Sequence, residues 1–347
     1  MRVLQVDSGR EWRGGQNQVR LLCRELGGGA GRQADIEQVL ATRRDSELAR
    51  RAAAEGTTVQ ATAWDIGLDP RAWWHLRRTI AAFNPDVIHV HDSHALTLAG
   101  TVGMGRKLVA TRRVDFHIGR FGAWRRPDRI IAVSAAVKRV LVADGIAPDA
   151  ITVVADGIDP DEVRRAAAQP LDVRGRLGLA AGTPIAVNAA ALVGHKDQRT
   201  LIRAAQYARA LRPDLHWVIA GEGVLRDALA AEIARLDLGD RVHLLGYIDA
   251  VDALIAEGDV FVMSSKEEGL GSVILNAMAI GRPVIGTAGG GIPEILPPEA
   301  LVPVGDANAL ARKVVAALDH PSPTPFPLQF GARAMAQGVL AVYRSLV

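Results

Sequence analysis

The stretch from Val260 to Ile295 constrains the fold more than any other part of the chain. It opens with the apolar run Val260–Met263, which is typical of a parallel strand covered on both faces. A glycine-bearing loop follows at 267–272, and residues 273–280 have the pattern of a helix that ends before Gly281. A second apolar strand and a second glycine loop come next. The stretch therefore predicts a βαβ unit in an α/β protein.

The loop before this helix predicts a pocket for a ligand that carries both phosphate and hydroxyl groups. Gly269 and Gly271 would let a ligand approach the backbone closely. The start of the helix offers unpaired N–H groups and the positive end of a dipole to a phosphate. Glu268 can accept hydrogen bonds from sugar hydroxyls. An ordinary βαβ unit with a glycine turn would explain the same residues, and on these residues alone both interpretations stay open.

The sequence EEGLGSVILNAMAIGRPVIGT, followed by GGIPEIL, resembles the signature region of the family 4 retaining glycosyltransferases, which have the GT-B fold. In that family two glutamates flank seven residues. Glu268 matches the first glutamate, which implies that it orients sugar hydroxyls. The second glutamate, which accepts from both ribose hydroxyls, falls on Asn276. The resemblance also implies a donor-binding loop formed by Gly269, Leu270, Gly271 and Ser272.

This resemblance implies the fold class of the whole chain, α/β of the GT-B type, with two Rossmann-like domains facing across a cleft. A length of 347 residues also favours two domains over one core. We expect an acceptor-binding domain at 1–165 and a nucleotide-sugar-binding domain at 166–328. A C-terminal helix at 329–347 is expected to cross back to the first domain. A linker is expected within 160–182, where proline and glycine recur.

Two glycines open the first predicted βα turn, and a histidine pair ends a later strand. Gly14 and Gly15 could admit a phosphate or sugar at a helix N-terminus, although a simple helix-entry turn is the alternative. The strand DVIHVHD ends at His91, and ligands of parallel sheets lie beyond such strand ends. His89 and His91 share one face and could bind a metal, but no third ligand has a suitable spacing. The resemblance implies no metal, so we expect His91 to line the cleft and His89 to pack.

Two positions in the first domain depart from the family pattern. Arg113 stands where the family often has a histidine close to the donor sugar and its phosphate. Arginine cannot titrate in the working range, so it supplies a fixed positive charge for a phosphate or an anionic acceptor. Asp156 replaces the asparagine of the N-G-x-D turn that ends the first domain in the family.

The second domain carries a partial match to the family motif G-R-L-x-x-x-K, whose arginine and lysine hold the donor diphosphate. Lys196 matches the lysine, whereas the arginine position is occupied by Ala191. His195, Arg199 or Arg113 could supply the missing charge. Further along, the family places the nucleobase next to a strand end and holds it largely by backbone groups. The residues that correspond to this strand end are Tyr247 and Ile248.

Composition bounds the location and the partners. No run of about 18 apolar residues occurs, so no transmembrane helix is expected. Cys23 is the single cysteine, which excludes an internal disulfide and fits a cytoplasmic location. A pI of about 9.3 favours phosphorylated ligands or an anionic membrane face rather than nucleic acid. Trp74 lies beside arginines and could meet the inner membrane face, and the segment 116–129, which mixes aromatic rings with arginines, could touch a lipid-linked or anionic acceptor. A surface tryptophan and a solvated loop are the alternatives.

The resemblance implies a retaining, metal-independent glycosyltransferase. It would move a hexose-type sugar from a nucleotide-sugar co-substrate, a UDP- or GDP-sugar, to a glycan, lipid-linked or small-molecule acceptor. Glu268, His91 and Arg113 are the predicted catalytic residues, no cofactor is expected, and polysaccharide biosynthesis is the family-level expectation. Because of Asn276 and Ala191, a catalytically weak or inactive nucleotide-sugar-binding protein is one alternative. A GT-B sugar-nucleotide epimerase is another, although the AMAIGRPVIGT and GHKD matches favour the transferase.

Overall fold

The computed structural model describes residues 1–27, 36–64, 69–103, 105–119 and 122–347. Arg120 and Phe121, which belong to the segment predicted to touch a lipid-linked or anionic acceptor, lie outside this range. The chain forms two compact units, of which the first contains Met1–Ile158 and Leu328–Val347 and the second contains Asp159–Pro327. None of the helices within the described residues has both the length and the apolar character needed to cross a membrane.

The first unit is built on a seven-stranded sheet in which all neighbouring strands are parallel. Its strands are β1 Arg2–Asp7, β2 Glu37–Arg43, β3 Val59–Thr62, β4 Val87–Val90, β5 Lys107–Arg112, β6 Arg129–Ala132 and β7 Ile151–Val153. Its first helices are α1 Gly14–Gly27, α2 Glu47–Ala54, α3 Pro70–Phe83, α4 Ser93–Val102 and α5 Ala135–Ala143. The strand order is β3-β2-β1-β4-β5-β6-β7. The order reverses between β1 and β4, and ligands of open α/β sheets bind at such a reversal.

The second unit repeats this architecture with a six-stranded parallel sheet. Its strands are β8 Ile185–Ala189, β9 His216–Ala220, β10 Val242–Gly246, β11 Val260–Met263, β12 Val284–Thr287 and β13 Leu301–Val302. Its helices are α6 Pro160–Ala167, α7 Val173–Arg176, α8 Gln198–Leu211, α9 Arg226–Arg235, α10 Val251–Glu257, α11 Ser272–Ile280 and α12 Ala307–Asp319. The strand order is β10-β9-β8-β11-β12-β13, with the reversal between β8 and β11. Two Rossmann-like sheets in one chain are the arrangement that the sequence predicts.

The predicted linker at 160–182 is wrong, because helices α6 and α7 occupy most of it. Asp159 caps α6 by accepting hydrogen bonds from the N–H groups of Asp161 and Glu162. Pro160 takes the first helical position, where it starts a helix instead of interrupting one. The apolar face of α6 buries Val163, so the stretch has packing of its own.

The last helix, α13 Ala332–Arg344, belongs to the first unit although the second unit precedes it in sequence. Its buried side chains, among them Met335, Val339 and Tyr343, share a core cluster with Val3 of β1 and Val87 of β4. The C-terminal segment predicted to return to the first domain therefore completes the core of that unit.

Candidate functional site

In the second unit, two predicted site residues meet where the strand order reverses. Lys196 ends a short 3-10 turn that follows β8, and Glu268 lies in the loop that follows β11. Because β8 and β11 are neighbours, their carboxyl ends bring these loops together. The Lys196 ammonium forms an ion pair with the Glu268 carboxylate, and the two side chains are only 17% and 13% exposed.

Hydrogen bonds fix the two loops against each other. The N–H of Lys266 donates to the carbonyl of His195 at 2.8 Å, and the hydroxyl of Ser264 donates to the carbonyl of Lys196 at 2.9 Å. The hydroxyl of Ser265 donates to Glu268 Oε2 at 3.2 Å. The Glu268 carboxylate is thus held by both a cation and a hydroxyl donor.

The glycines of this stretch serve close packing and a helix entry. A Cβ on Gly289 would lie 2.7 Å from the carbonyl oxygen of Lys266, so the second glycine loop can lie directly against the first. Gly271 adopts a φ of 88° and precedes α11, whose N-terminus receives no side-chain cap. The first N–H groups of α11, from Ser272 onward, are therefore the ones that suit an anion. Leu270 is buried, so only its backbone can contribute.

Asn276, the departure from the second family glutamate, pairs with a carboxylate that the sequence argument missed. Its Nδ2 donates to Oδ1 of Asp252, in the first turn of α10, at 2.7 Å. Burial raises the pKa of Asp252, and the charge of Glu162 adds to the rise, while the bond from Asn276 opposes it. The position therefore keeps an acidic group, supplied by a neighbouring helix.

The missing diphosphate arginine has no direct replacement on α8. The carbonyl of Ala191 accepts a hydrogen bond from Gln198 Nε2 at 2.9 Å. Arg199 Nε lies 3.5 Å from Glu232 of α9. Arg199 is therefore directed toward α9 in this structure.

The predicted nucleobase residues, Tyr247 and Ile248, follow β10 directly. The Tyr247 side chain is largely exposed, and its hydroxyl donates to Asp249 at 3.4 Å. Ile248 instead lines a small apolar hollow with Leu171 and Val173. A role of this turn in base binding, through backbone groups, stays a prediction.

In the first unit, one face of the central strands changes in polarity along the strands. Successive residues of a strand alternate between faces, so every second residue shares one face. On β1 and β4 this face carries Val3 and Val87 first and Asp7 and His91 last, and on β5 it carries Lys107 and Val109 before Arg113. The neutral polar positions between them are Gln5, His89 and Thr111. The predicted residues His91 and Arg113 thus lie at the end of the sheet where its strand order reverses.

A buried chain of hydrogen bonds runs through the neutral positions. Thr111 Oγ1 contacts His89 Nε2 at 2.7 Å, and His89 Nδ1 contacts the Tyr343 hydroxyl at 2.5 Å. Gln5 Nε2 donates to that hydroxyl at 3.1 Å, and Gln5 Oε1 contacts His91 Nε2 at 2.9 Å. Both ring nitrogens of His89 are engaged in hydrogen bonds and the side chain is fully buried, so His89 packs as predicted.

Two departures from the family pattern in the first unit contact each other. Arg113 Nε lies 3.1 Å from Asp156 Oδ1, and both side chains are largely buried. Burial raises the pKa of Asp156, whereas the guanidinium opposes the rise. A Cβ on Gly15, at the start of α1, would lie 4.0 Å from Arg113 Cδ. The Gly14–Gly15 helix entry and the Arg113 cation therefore belong to one place in the first unit.

Asp7 is a second residue that the sequence argument missed. It is 1% exposed, and burial together with the charge of Asp92 raises its pKa to about 6. Its carboxylate accepts from the N–H of Gly9 at 2.9 Å and from Gln16 Nε2 at 3.4 Å. An acidic residue at the carboxyl end of the first strand was the signal available for finding it.

Comparison with known proteins covers both units. Residues 172–336 match the family model described as glycosyl transferases group 1, and residues 12–162 match that described as Glycosyltransferase Family 4. A 2-deoxystreptamine glucosyltransferase of Streptomyces kanamyceticus is 32% identical over 279 residues, which are 78% of this chain and 72% of the relative.

Another relative and a solved structure extend the comparison. A GDP-mannose-dependent monoacylated alpha-(1-6)-phosphatidylinositol monomannoside mannosyltransferase of Corynebacterium glutamicum is 34% identical over 159 residues. That match spans 43% of this chain and only 41% of the relative. The crystal structure of Anabaena HepE in complex with UDP and glucose superposes with a TM-score of 0.81 at 19% identity, over 99% of this chain and 100% of HepE. This last likeness concerns the fold.

Proposed function

This chain belongs to the family 4 glycosyltransferases and has the GT-B fold, and we propose that it transfers a hexose-type sugar from a nucleotide-sugar donor to an acceptor hydroxyl. We propose further that transfer retains the anomeric configuration and needs no metal ion. The observation that carries the proposal is the Lys196–Glu268 pair beside the uncapped start of α11.

The donor site of this proposal combines a cation, helix N–H groups and an acceptor carboxylate. The Lys196 ammonium has three N–H donors, so it can keep Glu268 and still bind a diphosphate oxygen. The first N–H groups of α11 would neutralise further charge on the leaving diphosphate. Glu268 Oε1 would accept hydrogen bonds from sugar hydroxyls, because Oε2 already accepts from Lys196 and Ser265, and this orients the sugar without touching the phosphate.

The acceptor would bind to the first unit, next to His91 and Arg113. Arg113 offers a fixed positive charge whose Nη1 has no hydrogen-bond partner among the described residues. The glucosyltransferase relative acts on 2-deoxystreptamine, the mannosyltransferase relative uses GDP-mannose, and HepE binds UDP and glucose. These names support a UDP- or GDP-sugar donor, and they span both a small-molecule and a lipid-linked acceptor.

A nucleotide-sugar-binding protein with little or no turnover is the second candidate. Ala191 and the orientation of Arg199 toward Glu232 favour it, because neither position places a second cation beside Lys196 to bind the diphosphate. Removing one charged contact costs on the order of 1–3 kcal/mol, or about 5- to 150-fold in affinity. The Asp252–Asn276 pair weighs against this candidate, because it retains a carboxylate near the position of the second glutamate.

A contact with the inner membrane face stays a prediction. Trp74 is about half exposed, and the guanidinium of Arg78 lies 5.2 Å from its ring centre. An aromatic ring beside a cation suits an anionic lipid interface. Sedimentation with phosphatidylglycerol vesicles, compared between the wild type and Trp74→Ala, would test it.

A thermal-shift panel with UDP-, GDP-, ADP- and CMP-sugars, in EDTA, tests the donor site. A ligand present at 100 times its Kd stabilises the folded protein by about 2.7 kcal/mol. We expect one nucleotide to stand out and Lys196→Ala to lose that shift. Lys266→Ala is the matched control, because the Lys266 side chain is half exposed and its Nζ lies 3.4 Å from Oδ2 of Asp197, not beside Glu268. A shift that appears only with added metal, or that survives in Lys196→Ala, would overturn the proposed site.

Turnover then separates the two candidates. Release of UDP or GDP from the stabilising donor, measured with and without candidate acceptors, supports the transferase when an acceptor accelerates it. Binding without release under any of these conditions favours the non-catalytic protein.

A further inference from the structure

We propose that Tyr343, on the last helix, is a positioning residue that fixes His91 as a hydrogen-bond acceptor for a hydroxyl group of the ligand. The proposal deepens the proposed function, since it assigns His91 to a neutral hydroxyl instead of a phosphate. The chain of hydrogen bonds that supports it joins Thr111, His89, Tyr343, Gln5 and His91.

The Gln5 amide sets the protonation of His91. Its Nε2 can only donate, and it donates to the Tyr343 hydroxyl at 3.1 Å. Its Oε1 can only accept, and it lies 2.9 Å from His91 Nε2. His91 Nε2 must therefore carry the proton, which leaves Nδ1 as a bare acceptor.

The Tyr343 hydroxyl continues the chain in the direction that Gln5 Nε2 begins. The hydroxyl accepts from Gln5 and has one proton to give, which goes to His89 Nδ1 at 2.5 Å. His89 then carries its proton on Nε2 and donates to Thr111 Oγ1 at 2.7 Å. From Gln5 Nε2 to Thr111 Oγ1, the bonds therefore run in a single direction and support one another.

Both imidazoles stay neutral, so each carries its single proton on one ring nitrogen. Burial holds the pKa of His89 well below its usual 6.5, and the Arg113 charge lowers it further. Burial, His89 and Arg113 act in the same way on the pKa of His91. A second proton on His91 Nδ1 is therefore strongly disfavoured.

His91 Nδ1 is buried and has no hydrogen-bond partner within the described part of the chain. An unsatisfied buried polar atom destabilises the folded protein, and a bound donor group would recover that loss. Nδ1 lies on a residue that follows β4, at the strand ends where the sheet order reverses. A sugar or polyol hydroxyl can donate to this nitrogen, whereas a fully ionised phosphate has no proton to donate.

Tyr343→Phe breaks the chain at one atom. The ring that fills the buried site is kept, but Gln5 Nε2 loses the acceptor to which it donates in this orientation of the amide. A rotated amide would offer its N–H₂ group to His91 and would require the proton on Nδ1. We therefore expect the variant to contain both His91 tautomers.

Nitrogen NMR of the full chain with labelled histidine measures this directly. Comparison with His91→Gln assigns the signals of His91. We expect a protonated Nε2 and an unprotonated Nδ1 in the wild type, and a mixed or reversed pattern in Tyr343→Phe. Val339→Ala is the matched control, because it removes packing from the same helix without touching the polar chain. A protonated Nδ1 in the wild type, or an unchanged pattern in Tyr343→Phe, would overturn the proposal.

A titration tests the class of ligand. We expect D-glucose to move the Nδ1 signal of His91 and inorganic sulfate, an oxyanion without a proton at neutral pH, to leave it in place. A response to sulfate alone, or to neither compound, would overturn the assignment to a hydroxyl. The tautomer measurement needs no donor and no turnover, so a failure of the transferase proposal would leave its outcome intact.

Discussion

Asn276→Glu restores the glutamate that the family has at this position, and the structure predicts that it harms the protein. From the sequence alone, a second glutamate should tighten donor binding. Asn276 Nδ2, however, lies 2.7 Å from Asp252 Oδ1. The substitution replaces a hydrogen-bond donor by a carboxylate that faces another carboxylate.

The size of the effect follows from the distance. Two like charges about 4 Å apart repel by about 4 kcal/mol at an effective dielectric constant near 20. A longer glutamate can rotate partly away, so we expect a loss of about 2–3 kcal/mol in the free energy of unfolding at pH 8. The pKa of Asp252 is already raised by burial, and the new charge raises it further. The folded variant therefore holds a proton that the unfolded chain releases, and its stability falls as pH rises.

Urea unfolding at pH 5 and pH 8 measures the loss, and an exchange of the two groups provides the control. Asp252→Asn combined with Asn276→Glu re-forms an amide–carboxylate pair with reversed roles. We expect the double variant to return to within about 0.5 kcal/mol of the wild type and to bind the donor more tightly than the single variant. A free energy of unfolding for Asn276→Glu equal to that of the wild type at pH 8 would refute the predicted repulsion. So would a double variant that is no more stable than the single variant.

Three further predictions concern other charged groups. Lys196→Ala and Glu268→Ala should each lower transfer by about 100-fold or more without unfolding the protein, and wild-type rates in either would exclude it from the site. The pKa of Asp7 is about 6 in the folded protein and 3.8 in the unfolded chain. The free energy of unfolding should therefore fall by about 3 kcal/mol as the pH rises between these two values. Asp7→Asn should remove that loss, and an equal pH dependence of unfolding in both proteins would refute the cause. Arg113→Ala leaves the buried Asp156 carboxylate unpaired and should cost about 3–5 kcal/mol in unfolding experiments, part of which Asp156→Ala in the same chain should restore.

The sequence predicts the parts of the molecule whose signals are local. The strand Val260–Met263 and the end of α11 at Gly281 follow from apolar periodicity and capping chemistry within a few residues. The assignment of Lys196 and Glu268 to loops after strands also follows, whereas their contact depends on the adjacency of β8 and β11 in the sheet. The predicted linker at 160–182 is wrong because proline and glycine residues can mark the start of a helix as well as its end.

The partners of the unusual residues could not be predicted in this way. Asp252 reaches Asn276 because α10 packs beside α11, and Arg113 reaches Asp156 because the loops after β5 and β7 converge. No spacing rule encodes these pairs, since the residues lie on separate elements. When single positions are compared, Asn276 and Arg113 each differ from the family residue. In the structure each of them contacts a carboxylate, Asp252 and Asp156 respectively.

The return of the last helix to the first unit has a consequence for biosynthesis. Gln5 and Tyr343 are 338 positions apart, yet they share a hydrogen bond inside the same core. On a ribosome, the second unit, Asp159–Pro327, is continuous and can be completed as it emerges, whereas the first unit must wait for residues 328–347. Until then, the apolar face around Val3 and Val87 has no α13 to cover it and is exposed to misassociation. The half of the protein that is synthesised first is therefore the half that finishes folding last.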